Sequence, residues 1–181
     1  MLAVQSKLDG AVKEEKKSIN ASQMYKKIEL GQLTPHNIKQ FRLINQNVFP
    51  VTYTEKFYSD VLKNSKMCRL AYFNDIVVGA VSYRIENVLC YIMTLGCLAP
   101  YRGHGVGTLM LKHVIKFCQK HGGIKSIYLH VHVGNEGAVA FYKRFGFEIT
   151  GEVDDYYRRI QPQTAYVLER CFSYKRIFYC L

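Results

Sequence analysis

Leu95-Gly96-Cys97-Leu98-Ala99-Pro100-Tyr101-Arg102-Gly103-His104-Gly105-Val106-Gly107-Thr108 joins an apolar, strand-like segment, Tyr91 to Leu98, to a helix-like one, Thr108 to His121. Within it Arg102, Gly105 and Gly107 satisfy the pattern Arg/Gln-x-x-Gly-x-Gly. Glycines let backbone N–H groups approach an anion closely, and the following helix adds the positive end of its dipole. The stretch therefore reads as a pyrophosphate cradle. It is not a nucleotide P-loop, which ends in Lys-Ser/Thr, and its spacing is not Gly-x-Gly-x-x-Gly.

Working outward, Ile127-Tyr128-Leu129-His130-Val131-His132-Val133 reads as a strand. Gly134-Asn135-Glu136 then leads into a helix from Ala138 to Phe145, with Phe141-Tyr142-Lys143-Arg144-Phe145-Gly146-Phe147 at its end. Upstream, Ile28 to Leu30 is a short strand. Thr34 is expected to cap a helix with Pro35 in its first turn, and Ile38, Phe41, Ile44 and Val48 give that helix one apolar face. Thr54 caps a shorter helix carrying Phe57, Tyr58, Val61 and Leu62. Met67 to Phe73 and Ile76 to Ile85 form a hairpin around Asn74-Asp75. Asn87 marks the next turn, Val88 to Leu98 the central strand, and Thr164 to Phe172 the last strand. A meander followed by crossovers predicts a mixed α/β sheet.

An anion cradle followed by Asn135-Glu136-x-Ala138-x-x-Phe141-Tyr142-x-x-Phe145-Gly146-Phe147 is similar to the GNAT acetyltransferase superfamily. Further runs narrow the resemblance: Ile28-Glu29-Leu30-Gly31, Thr34-Pro35-His36-Asn37-Ile38-Lys39-Gln40, Phe49-Pro50-Val51-x-Tyr53 and Leu70-Ala71-Tyr72-Phe73-Asn74-Asp75. Tyr91-Ile92-Met93-Thr94-Leu95-Gly96 and Tyr156-Tyr157-x-Arg159-Ile160 extend it. In order and spacing these runs, from Met24 to about Leu168, resemble the NatE catalytic subunits of the N-terminal acetyltransferases.

The resemblance implies a GNAT fold: one mixed β-sheet with flanking helices and two splayed central parallel strands, here Val88–Leu98 and Ser126–Val133. It implies an acetyltransferase domain over residues 24–172; outside it, residues 1–23, with only a thin apolar face, read as a mobile extension, and the basic, aromatic residues 173–181 as an unmatched tail. The implied activity moves the acetyl group of acetyl-CoA onto the α-amino group of protein N-termini, favouring Met followed by an apolar residue.

Acetyl transfer to an amine needs a held thioester, a deprotonated amine, a stabilised oxyanion and a leaving thiolate. The resemblance assigns the cofactor to Leu95, Gly96, Cys97 and the backbone of Arg102, Gly103, His104, Gly105, Val106, Gly107 and Thr108. Asn135 and Tyr142 hold it from the other side. The N–H groups of Thr94 to Gly96 would face the thioester carbonyl. Tyr142 would protonate the thiolate, and His130 would take the ammonium proton directly or through water, because imidazole titrates near neutral pH. Tyr91 is the second proton acceptor; a free phenol titrates near ~10, so it is expected to order water instead. His132 is expected to face away from His130 and to take no part. Phe49, Pro50, Val51 and Tyr53 would form one wall of a peptide slot, Tyr156 and Tyr157 the other, and Met93 the floor; apolar walls suit a methionine side chain. Where relatives carry a basic and an aliphatic residue between Arg102 and Gly105, this chain has Gly103 and His104, and its turn at Glu86-Asn87 is short.

The chain has 181 residues and a formal net charge of +11; most of these charges read as a solvated lysine-rich surface, while the excess also suits a polyanionic cofactor or work near ribosomal RNA. No aromatic-interleaved basic motif predicts sequence-specific nucleic-acid binding. Its 6 cysteines, at positions 68, 90, 97, 118, 171 and 180, show no Cys-x-x-Cys spacing and are expected as mostly buried thiols in a reducing cytosol. No metal-ligand spacing, signal peptide or membrane span is read. The resemblance implies a cytoplasmic location, with the nucleus left open, and association with the NatA scaffold and catalytic subunits at the ribosome. Two other readings stand at this point: lysine or small-amine acetylation on the same scaffold, and a mainly non-catalytic subunit.

Overall fold

Asn74 and Asp75 both take positive φ, 46° and 67°, as a two-residue hairpin turn requires. They join β2 (Cys68–Phe73) to β3 (Ile76–Glu86) in the computed structural model, which describes residues 27–172. The expectations for the extension 1–23, the tail 173–181 and Cys180 lie outside the described residues. β1 (Ile28–Gln32) pairs antiparallel with β2, and Asn87, at φ 56°, turns β3 into β4 (Leu89–Cys97). Before the hairpin come α1 (Ile38–Val48) and α2 (Glu55–Lys63). After β4 the chain crosses through α3 (Val106–His121) to β5 (Ser126–His132), then through α4 (Glu136–Lys143) to β6 (Glu148–Val153) and β7 (Ala165–Cys171).

The seven strands form one mixed sheet in the order β1-β2-β3-β4-β5-β7-β6. A parallel β4–β5 pair forms only at Leu89–Ser126, Cys90–Ile127 and Tyr91–Tyr128. Beyond Tyr91, β4 stays with β3 and β5 with β7, so the two central strands part. The expected splay is there, and its fork lies at Tyr91 and Tyr128.

Helices cover both faces. On one, α3 buries Val106, Met110, Leu111, Val114, Ile115 and Cys118 against Val81, Tyr83, Cys90, Ile92 and Ile127. Each such aliphatic contributes about 1.5–3 kcal/mol relative to exposure, which fixes this helix and the loop that starts it. On the other face Phe41 and Ile44 of α1 and Tyr58 and Val61 of α2 pack with Leu70 and Ala80.

β4 does not alternate evenly. Ser82 pairs with Thr94 but Tyr83 with Ile92, which leaves Met93 as a bulged extra residue. Cys90 and Ile92 face the α3 core, and after the bulge Leu95 and Cys97 face it again, while Met93 packs on the α1–α2 side. Ser82 and Thr94 share a buried hydroxyl–hydroxyl hydrogen bond of 2.7 Å beside the slip.

Thr34 does not cap a helix. Its own N–H donates to Asn37 Oδ1 at 2.8 Å, Asn37 Nδ2 donates to the Gln32 carbonyl, and these bonds close a turn. The helix therefore starts at Ile38, three residues after Pro35. Thr54 does cap, its hydroxyl accepting from Phe57 N–H at 3.3 Å. α4 starts and ends two residues earlier than expected, because Asn135 caps it and Gly146, at φ 77°, turns the chain. Cys68, Cys90 and Cys118 are buried free thiols, Cys97 is half-buried and Cys171 is exposed.

Candidate active site

The cradle is built by where α3 begins. Gly105 is its N-cap, at φ 87° and without a capping side chain, and no acidic residue lies in its first turn. The unpaired N–H groups of that turn thus point outward with the positive end of the dipole uncompensated. A Cβ on Gly103 or Gly105 would meet nothing within 4 Å, so the space above the loop is open to a ligand. Val106, 1% exposed, anchors the turn in the core. Arg102 Nε donates to the Cys97 carbonyl at 3.3 Å and His104 Nδ1 lies 3.0 Å from the Arg102 carbonyl oxygen, so both side chains brace the loop. Thr108 and Gly107 lie in the first turn of α3, with Gly107 facing the Phe141 ring of α4.

Between cradle and fork, Thr94, Leu95, Gly96 and Cys97 lie on the part of β4 that has a ladder on its β3 side only. A pyrophosphate on the loop and an extended arm in the cleft fit these residues. Asn135 lies across the cleft at the start of α4; its Oδ1 accepts from Ala138 N–H at 3.1 Å, which leaves the amide nitrogen to donate elsewhere. Tyr142 is 6% exposed, with Phe141 and Phe147 at its ring edges. Burial pushes its phenol well above the ordinary value, so at neutral pH it is a proton donor.

At the fork two phenols and an imidazole meet. Tyr91 Oη lies 3.2 Å from His130 Nδ1 and 3.1 Å from Tyr156 Oη. The Tyr156 ring stacks on His130 at 4.5 Å and 15°. Burial holds the His130 imidazole below its usual value, so it is neutral at pH 7 and free to accept a proton. Burial, then the Tyr156 hydroxyl, push the Tyr91 phenol well up, so Tyr91 keeps its hydrogen at neutral pH. With Nδ1 bare, Tyr91 donates to it and passes a proton inward. With Nδ1 protonated, it donates to Tyr91 and Nε2 carries the lone pair.

The residues read as slot walls lie on two segments, the α1–α2 turn and the loop before β7. Phe49 ends α1, its N–H bonded to the Asn45 carbonyl, and its ring meets Tyr53 edge-on at 6.2 Å. Tyr53 stacks on Phe57 at 4.4 Å, and burial, then Tyr156 and Tyr157, push its phenol up. Pro50 and Val51 form the turn between α1 and α2. Opposite, Tyr157 is held by its N–H to the Gln163 carbonyl at 2.9 Å, and burial pushes its phenol up to about 12. Met93 points to the α1–α2 side because of the bulge.

His132 corrects an expectation. It lies two residues from His130, and residues i and i+2 of a strand share a face. Its ring meets Tyr157 edge-on at 5.3 Å, while Nε2 donates to the Pro162 carbonyl at 2.7 Å and Nδ1 accepts from Gly134 N–H. Both nitrogens are used, so it braces the Tyr156–Tyr157 loop. Sequence reading missed Tyr128, Arg84 and Glu86 beside Tyr91; the Tyr128–His130–His132 spacing, one strand face, was the available signal.

The acetyltransferase (GNAT) family profile matches residues 34–147. The chain is 54% identical over 148 residues to N-alpha-acetyltransferase 50 of Danio rerio, covering 80% of this chain and 88% of that protein. It is also 54% identical over 147 residues to the protein named "Probable N-acetyltransferase san" of Drosophila melanogaster, covering 79% of this chain and 80% of that one. Among solved structures, Arabidopsis thaliana Naa50 in complex with the bisubstrate analogue CoA-Ac-MVNAL superposes with a TM-score of 0.76 at 43% identity, covering 80% of this chain and 99% of that one. Splayed strands, glycine cradle and these matches together make this chain a member of the GNAT acetyltransferase family. It is an acetyl-CoA-dependent acetyltransferase, closely related to Naa50 and San.

Proposed function

We propose that the protein acetylates the α-amino group of protein N-termini that begin with Met followed by an apolar residue. One observation carries the reading: Tyr156, from the loop before β7, meets both Tyr91 and His130 at the point where the central strands part. A chain end entering between the walls brings its amine to that contact, whereas a mid-chain lysine must thread a backbone through the same space. The peptide part of the analogue bound by the Arabidopsis relative, MVNAL, starts with Met and an apolar residue.

Bound acetyl-CoA supplies an activated acetyl group as a thioester. Around it, Arg102 to Thr108 hold the anionic end by backbone N–H groups. The N–H groups of Thr94 to Gly96 that face the cleft stabilise negative charge developing on the carbonyl oxygen. His130, neutral at pH 7, receives the ammonium proton through Tyr91 or water, and Tyr142 gives its proton to the departing sulfur. Phe49, Pro50, Val51 and Met93 enclose the methionine side chain, while Tyr53, Tyr156 and Tyr157 offer hydroxyls to the peptide backbone.

Assembly with the NatA scaffold and catalytic subunits at the ribosome, in the cytoplasm with the nucleus as a second setting, belongs to the same reading. The net charge of +11 suits that setting. A panel of short peptides tests the catalytic part: Met-Leu and Met-Val N-termini react fastest, and acidic or small N-termini react slowly. Equal rates across the panel would remove the apolar slot as the source of selectivity.

A further inference from the structure

Tyr91, the hydroxyl that touches His130, does not hold its own position. Its ring lies between two neighbours that the sheet register places beside it, Arg84 on β3 and Tyr128 on β5. The Arg84 guanidinium sits 5.0 Å from the Tyr91 ring centre, and the Tyr128 ring stacks on Tyr91 at 4.8 Å and 29°. Glu86 closes the circuit. One carboxylate oxygen accepts from Arg84 Nε at 2.6 Å and the other accepts from the Tyr128 hydroxyl. The Tyr128 hydroxyl and then Arg84 hold the Glu86 carboxyl below its usual value, while burial and then Glu86 push the Tyr128 phenol up to about 12. At neutral pH the carboxylate is charged and Tyr128 is its donor. The short turn at Asn87 puts Glu86 at the end of β3, opposite Leu89 and two residues from the fork.

We propose that Tyr128 and Glu86 are positioning residues for the acetyl transfer, forming with Arg84 a clasp that fixes the Tyr91 ring so that its hydroxyl bridges His130 and Tyr156. The clasp acts at the last paired position before β4 and β5 separate, where the backbone ladder beside Tyr91 ends. Neither Tyr128 nor Glu86 is hydrogen-bonded to His130; the Tyr128 ring meets the imidazole edge-on at 6.2 Å, a contact that Tyr128→Phe keeps, so the effect of the hydroxyl and the carboxylate passes through Tyr91. The proposal rests on Tyr91 belonging to the proton path.

A double-mutant cycle in the full chain tests it. Tyr128→Phe keeps the stacked ring and removes the hydroxyl, and Glu86→Gln keeps the shape of the acceptor and removes its charge. Each lowers kcat by roughly five- to twentyfold, with the acetyl-CoA Kd by calorimetry unchanged. In a Tyr91→Phe background, Tyr128→Phe costs less than about twofold, because the group it positions is gone. Full additivity of the two substitutions, or an unchanged kcat in both Tyr128→Phe and Glu86→Gln, overturns the clasp and leaves the Tyr91 reading intact. An unchanged kcat in Tyr91→Phe alone removes the Tyr91 reading and the clasp with it. A fall in kcat that tracks a lower thermal midpoint, with acetyl-CoA binding lost as well, marks a structural defect and also counts against the proposal.

Discussion

Two residues of the proposed mechanism, His130 and Gly105, make different demands, and their surroundings set them. His130 is half-buried between Tyr156 and Tyr91 with no carboxylate bonded to it, so burial alone acts on the imidazole and lowers its pKa. A lowered value keeps the base form to more acidic pH than a free imidazole, titrating near ~6.5, would allow. The acid limb of the kcat/KM profile is therefore expected below about 6.5. His130→Ala should lower kcat by about 10²–10⁴ and abolish that limb, with acetyl-CoA affinity almost unchanged. Steady-state kinetics between acidic and neutral pH, with calorimetry of cofactor binding, check both parts. Near-wild-type turnover with the limb intact would make His130 a structural residue of its strand. At Gly105 the demand is conformational: φ is 87°, where a branched side chain is strained by about 1–3 kcal/mol. Gly105→Val should weaken acetyl-CoA binding about tenfold or more, measured by calorimetry.

Elements place these residues, and the tightest junction is between β4 and the end of α1. A Cβ on Gly96 would lie 2.7 Å from Val48 Cγ1 and 3.0 Å from the tip of the Phe49 ring. Gly96→Ala should push the Phe49 wall outward, at a cost of about 1–3 kcal/mol in packing. The expected outcome is a rise in peptide KM larger than any rise in the acetyl-CoA Kd; equal changes would show that Gly96 serves only the cofactor. Much at this scale was readable in the sequence. The cradle, the hairpin at Asn74-Asp75 and the helices with apolar faces all follow from local chemistry. The bulge at Met93 was not readable, because an extra residue in one strand is defined only against its partner, here the Ser82–Tyr83 step of β3. Thr34 misled because a cap and an Asn37-closed turn place the same residue types side by side. Tyr128 and Glu86 were missed for a like reason: they are 42 positions apart, and only the sheet register joins them.

The whole molecule sets two sites in one sheet opening. The cradle at the start of α3 and the Tyr91–His130–Tyr156 contact at the fork of β4 and β5 lie at opposite ends of the stretch of β4 that β5 leaves unpaired. On the proposed function, one fixed geometry would select the acceptor by what can enter: an amine at a chain end, carried past aromatic walls. Substitutions at the walls should change peptide selectivity, and those at the cradle should change cofactor affinity. The most direct check is the position of the acetyl group on a single peptide carrying a free Met-Leu N-terminus and one internal lysine. After incubation with purified protein and acetyl-CoA, fragmentation mass spectrometry should place the acetyl group on the α-amino nitrogen, and the same peptide with a blocked N-terminus should stay unmodified. Acetyl on the lysine, at equal rate with the N-terminus blocked, would contradict the account.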